Sequence, residues 1–194
     1  MKNTDKIILD LCGGTGAWSK PYRDNGYTVI NVTLPDYDVR TYTPPDNVYG
    51  ILAAPPCMMF SFARTRAKTP RDFKEGMRCV KACLDIIWQC RQRTKLSFWA
   101  LENPMGYLRQ FLGKPPLMFD PCDYGDPYTK KTDLWGYYNE PKKKPIALNE
   151  EEKYRCSQNT RKLPSISDIT GSKQSAKRSI TPTGFAKAFY EANQ

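Results

Sequence analysis

The residues best suited to chemistry lie between positions 51 and 66, in ILAAPPCMMFSFARTR. The apolar run at 51–54 reads as the end of a buried strand. Pro55 and Pro56 stop that strand and stiffen the chain, and Cys57 is the first residue past the stop. In an open α/β sheet, ligands collect outside the carboxyl ends of the strands, so a thiol there is placed to act as a nucleophile. Arg64, Arg66 and Lys68 follow closely. A thiol beside a phosphate-friendly loop points to covalent attack on part of a nucleic acid. The competing reading makes Cys57 a small buried apolar residue, the commoner fate of a free cysteine. On this stretch alone the two readings stand level.

Glu102 occupies the matching position on another strand. LSFWAL at 96–101 is apolar and Glu102-Asn103-Pro104 closes it. Glu102 could serve as a cap or a solvated carboxylate, but its place after an apolar strand, like that of Cys57, favours function. Histidine is absent, which removes imidazole both as a general base and as the usual nitrogen ligand of zinc. Cys79, Cys83 and Cys90 fall among Phe73, Met77, Val80, Leu84 and Ile87, which repeat at helical period. They read as buried helix thiols, and no metal is expected.

These groups need a scaffold, and the pattern supplies an α/β one. KIILDL at 6–11 is a short strand, followed by a turn with Gly13, Gly14 and Gly16 and a helix over 17–25 that stops at Gly26. Strand, glycine-rich turn and helix make a cofactor-binding opening. It is neither the dinucleotide fingerprint nor a P-loop. Further strands are expected at 27–32 and 49–54, with a short element at 36–39 and the longest helix over 71–93. Strands at 117–124 and 132–138 form an edge hairpin around Gly125, Pro127, Lys130 and Lys131. The pattern breaks over 140–178, an irregular insert, and a C-terminal helix follows with Thr181 as cap and Pro182 as its first position.

The chain has 194 residues, a formal charge of +10 and a pI near 9.2. That length suits a single domain spanning 1–194, and that charge favours an anionic partner, nucleic acid first, over a merely basic surface. Seven cysteines show no disulfide framework, and neither a leader nor an apolar run of membrane length is evident. A reduced, cytoplasmic protein without membrane contact is expected.

With these pieces in order, the chain resembles the DNA cytosine-5 methyltransferases. DLCGGTGAWS looks like the family's S-adenosylmethionine motif, and APPCMMFSFAR like its nucleophile motif, a Pro-Cys dipeptide followed by a mobile loop. LENP is similar to its Glu-Asn motif. GDPYTKKTDLW resembles its basic segment as seen in small phage-type members, and RSITPTGFAKAF its C-terminal motif. The matches span most of the chain and keep the family's order. The departures are Met58 where the family has Gln, Pro104 where it has Val, and Thr33-Leu34 where an acidic residue holds the cofactor ribose. Asp36 or Asp38 would have to stand in for that acid. The region between Tyr138 and Arg178, about 40 residues, is short for a target-recognition domain, so selectivity would be weak or supplied by a partner protein.

The resemblance implies a Rossmann-like class I S-adenosylmethionine-dependent methyltransferase sheet, helices on both faces, and methyl transfer to C5 of cytosine in DNA. Cys57 and Glu102 would be catalytic. Asp10, Cys12, Gly13, Gly14, Gly16, Trp18, Thr33, Leu34, Asp38, Val39 and Thr181 would hold the cofactor, Trp18 and Leu34 flanking its adenine. Pro56, Ser61, Arg64, Arg66, Asn103, Lys130 and Lys131 would contact substrate, and Arg64, Arg66 or Lys130 would give Cys57 its cationic neighbourhood. The same chemistry on RNA or a free pyrimidine nucleotide, or a decayed nucleic-acid-binding module, are the alternatives.

Overall fold

A computed structural model of the chain describes residues 2–65, 67–93, 95–146, 163–166 and 175–194. Arg66 and most of the expected insert lie outside the described residues. The fold is α/β, built on a six-stranded mixed sheet in the order β2-β1-β3-β4-β6-β5. The strands are β1 (Ile7–Leu11), β2 (Thr28–Val32), β3 (Val48–Ala53), β4 (Phe98–Pro104), β5 (Leu117–Phe119) and β6 (Thr132–Tyr137). β2, β1, β3 and β4 run parallel, while β6 is antiparallel to both β4 and β5. The expected edge hairpin is therefore present, with β5 outermost.

Side-chain alternation sorts the strands onto two cores. Leu9, Leu11, Ile51, Ala53 and Leu101 face one side, where they meet Val80, Cys83, Ile86, Ile87 and Cys90 of α2 (Phe73–Arg93). Ile8, Leu52, Phe98 and Ala100 face the other side. There they meet Tyr22 of α1 (Lys20–Asp24) and Phe185, Ala186, Phe189 and Tyr190 of α5 (Thr183–Ala192). Helices thus cover both faces. Cys83 and Cys90 are the buried helix thiols that the spacing predicts, and Cys79 is half-buried.

Several boundaries differ from the sequence reading, each for a local reason. α1 begins at Lys20 rather than at 17: residues 14–19 form turns, and the Ser19 hydroxyl donates to Asp10 Oδ2 (2.6 Å). The element expected at 36–39 is a turn. β4 continues through Pro104, since β6 pairs Asn103 with Asp133 and Pro104 with Thr132. The strand expected over 117–124 stops at Phe119, and Pro121–Tyr124 form a 3-10 helix with proline in its first turn. α5 starts at Thr183 with Pro182 as N-cap, so Thr181 is not the cap. Asp126 Oδ2 instead accepts from the Gly184 backbone N–H at 3.0 Å.

Part of the expected loop or partly ordered insert falls among the described residues. Residues 140–146 are irregular, but residues 164–166 lie alongside Thr129 through two backbone hydrogen bonds of 3.0 Å, and Ser175–Ser179 form a short helix, α4. A four-residue helix, α3 (Arg109–Leu112), follows β4 unannounced by any periodicity. Among the described residues, no helix is long and apolar enough to cross a membrane.

Candidate active site

Strand order reverses about β1: the chain leaves it for β2 on one side and returns to β3 on the other. Such a switch opens a crevice at the carboxyl ends of the two strands. A cavity of about 1410 Å³ lies there, lined by residues following β1, β3 and β4 and by residues 129–131 and 178–181.

The turn after β1 forms one end of the cavity. Asp10 is fully buried, and its Oδ1 has no hydrogen-bond partner. Trp18 Nε1 is likewise unpartnered, and both residues line the cavity. Asn31 Nδ2 donates to the Gly14 carbonyl at 3.0 Å and fixes the turn. A Cβ on Gly13 would lie 2.3 Å from Asp10 Cγ, so only glycine lets the turn close over this carboxyl. Gly14, with φ +54°, would point a Cβ into open space. The turn is thus a pre-shaped cradle with unmet polar atoms, which fits a ligand bearing both donors and acceptors.

Burial pushes the Asp10 carboxyl up to about 6, against the Ser19 hydrogen bonds and the Arg23 charge, which pull it down. A folded-state value above the unfolded one means that the folded protein holds this proton more tightly. The stability so contributed is present in full below pH ~4 and is lost as pH rises to about 6, a change of roughly 3 kcal/mol. We expect Asp10→Asn to flatten this fall. Urea unfolding should find the variant more stable than wild type at pH 8 and the gap closed at pH 4. A gap of equal size at both pH values would rule out the buried carboxylate as its cause.

Cys57 lines the cavity, half-buried. Its loop is firmly moored. Asn103 Nδ2, rising from the buried end of β4, donates to the Pro55 carbonyl at 2.9 Å. The backbone N–H groups of Phe60 and Ser61 both donate to the Cys57 carbonyl at 2.9 Å. Phe60 is fully buried and packs on Phe73 and Phe111. Gly106 lets β4's exit approach so closely that a Cβ there would sit 2.2 Å from the Phe60 carbonyl oxygen. Arg71 donates to the carbonyls of Met59 and Ser61 at 2.9 Å each, and lies over the Tyr107 ring at 5.0 Å. As far as Ser61, then, the segment after Cys57 is a turn held by these contacts. Arg71 is a positioning residue that sequence periodicity could only record as a helix start.

Glu102 is buried and forms an ion pair with Lys130 (3.6 Å), each side chain about 10 % exposed. The Lys130 backbone N–H donates to Asp120 Oδ1 at 2.8 Å, which fixes the strand entrance that carries the ammonium. Burial and the Glu102 carboxylate push the Cys57 thiol above its ordinary value, while Lys130 and Arg178 oppose them. Among the described residues, Lys130 and Arg178 are the cations that favour the Cys57 thiolate, while the Arg64 guanidinium donates to Thr69 Oγ1 at 2.9 Å. No motif singled out Arg178 for this role, since only tertiary structure brings α4 to the cavity.

Of the residues expected from the sequence, Asp10, Cys12, Gly13, Gly14, Trp18, Pro56, Cys57, Ser61, Arg64, Glu102, Lys130, Lys131 and Thr181 meet in this one cavity. Gly16, Thr33, Leu34, Asp38, Val39 and Asn103 do not line it. Gly16 is buried in the turn, and Asn103 acts from behind as a tether. Val39 is buried in the α2-side core, and Leu34 is 67 % exposed. Asp38 is held by Arg40, whose guanidinium and backbone hydrogen bonds lower its carboxyl to about 2. The Trp18 ring is buried, packed against Phe185 (5.9 Å) and Phe189 (5.5 Å). Among the described residues, no group of acidic or cysteine side chains could hold a metal ion. No protein-family model and no curated protein matches the chain.

Proposed function

We propose that this protein is a DNA cytosine-5 methyltransferase with a reduced target-recognition region. The observation that carries the reading is the meeting of Cys57, Glu102 and Lys130 with the Asp10–Gly14 turn in one cavity at a strand-order switch. S-adenosylmethionine would be held by the Asp10–Trp18 turn, where it supplies an electrophilic methyl group for carbon. The unpartnered Asp10 Oδ1 and Trp18 Nε1 and the open approach at Gly14 suit such a ligand.

The remaining chemistry belongs to side chains of this protein. The Cys57 thiolate adds to C6 of cytosine, and the ring electrons shift towards C5 and N3. Glu102 holds N3 and, in its acid form, gives a proton there as charge develops, taking it back when Cys57 is expelled. Once C5 carries the methyl group, water removes the C5 proton. The C5–H electrons then restore the ring double bond and expel Cys57. Cys57 suits both steps because a thiolate adds readily and leaves readily. Lys130 favours the thiolate and orients Glu102, and the burial of this pair strengthens both effects. A base in a helix must leave its stack to enter, so flipping is implied for a duplex.

Transfer of radiolabel from methyl-labelled S-adenosylmethionine tests the reading, with duplex DNA, single-stranded DNA, RNA and dCMP offered separately. Label is expected at C5 of cytosine in DNA. Label confined to RNA or dCMP would move the same chemistry to another substrate. No transfer to any of them, together with no cofactor binding, would leave a nucleic-acid-binding module.

A further inference from the structure

Three exposed apolar side chains line the cavity: Met58, Phe62 and Ile180, which are 67 %, 46 % and 40 % exposed. Phe62 is presented rather than loose. Its ring sits edge-on to Tyr107 at 4.9 Å, and Tyr107 is packed in turn against Phe73 and under the Arg71 guanidinium. An aromatic ring held half in water on such a support is pre-organised to receive a flat partner at little entropic cost. Arg64, Lys131 and Arg178 line the same cavity.

A duplex turns its phosphates outward, and an apolar rim would strip water from them without offering hydrogen bonds. A single strand instead exposes the faces of its bases, and a cationic groove with stacking platforms is the usual way of holding one. Resting on the reading of Cys57 as a base-directed nucleophile, we propose that the site takes an unpaired polynucleotide. In it the target cytosine enters beside Cys57, and a flanking base stacks on Phe62 between Met58 and Ile180.

Fluorescence anisotropy on the wild-type protein tests this without any turnover. The probes are a labelled cytosine-containing DNA single strand, its duplex, and RNA of the same sequence, all at one salt concentration. The single strand should bind more tightly than its duplex. Phe62→Ala should weaken single-strand binding by about 5- to 150-fold and leave duplex binding within about twofold, while Phe62→Tyr should bind as wild type does. Ile180→Ser, at a second and independent part of the rim, should give a smaller loss of the same selectivity. The DNA and RNA arms distinguish the source of the strand, and preference for either over duplex supports the proposal. A duplex bound as tightly as the single strand, or a Phe62→Ala loss equal on both, would overturn it. Absence of methyl transfer with this preference intact would refute the chemistry and leave the binding inference standing.

Discussion

Cys57→Ser should abolish methyl transfer, lowering the rate by roughly 10³-fold or more, as expected when the nucleophile of a covalent mechanism is removed. Serine keeps the shape and hydrogen bonding of the side chain. The Cys57 backbone carbonyl, which anchors Phe60 and Ser61, is untouched. Stability should change by less than about 1 kcal/mol, because a half-buried thiol gives way to a near-isostere. Cofactor affinity should stay within about threefold, since the Asp10–Gly14 turn lies on a different strand. The check is single-turnover transfer of labelled methyl beside calorimetric titration of S-adenosylmethionine. Turnover surviving in the serine variant would return Cys57 to the reading of a buried apolar residue.

Lys130→Met should do two separable things. Glu102 loses its cation while remaining buried, and breaking a buried pair from one side costs about 3–5 kcal/mol. The thiol of Cys57 also loses a charge that opposes burial and the Glu102 carboxylate, so its value moves further up. The reactive form is the thiolate, so the rate should climb with pH in wild type, and in the variant the climb should begin at higher pH. Transfer at neutral pH should fall by at least about tenfold and recover partly in alkali. Lys130→Arg, which keeps the charge, should restore the wild-type profile. A profile that drops uniformly at every pH would mean that Lys130 only supports the fold.

Much of this arrangement was legible in the sequence because it depends on local patterns. KIILDL, YGILAA and LSFWAL are apolar runs bounded by glycine or proline, and each became a strand at its expected place. Their carboxyl ends carry Asp10, Cys57 and Glu102, so the reactive groups could be named before any geometry. What could not be read was set by distant segments. The packing of Trp18 against Phe185 and Phe189 comes from the opposite end of the chain. Asp126, not Thr181, caps α5, because the 3-10 turn at Pro121–Tyr124 packs against that helix. β4 runs through Glu102 and Asn103 because an antiparallel neighbour continues its ladder, a fact not encoded in LENP. Arg71 and Arg178 gained their roles from where α2 begins and where α4 docks.

The most direct test of the central claim is mass spectrometry after incubation with S-adenosylmethionine and a DNA oligonucleotide carrying cytosine fluorinated at C5. Fluorine cannot leave as the proton does, so the addition product between C6 and the attacking sulfur should persist. A protein–oligonucleotide adduct is expected that maps to the peptide containing Cys57 and is absent from Cys57→Ser. An adduct that persists in the serine variant, or no adduct from a wild-type protein that transfers methyl groups, would contradict the central claim.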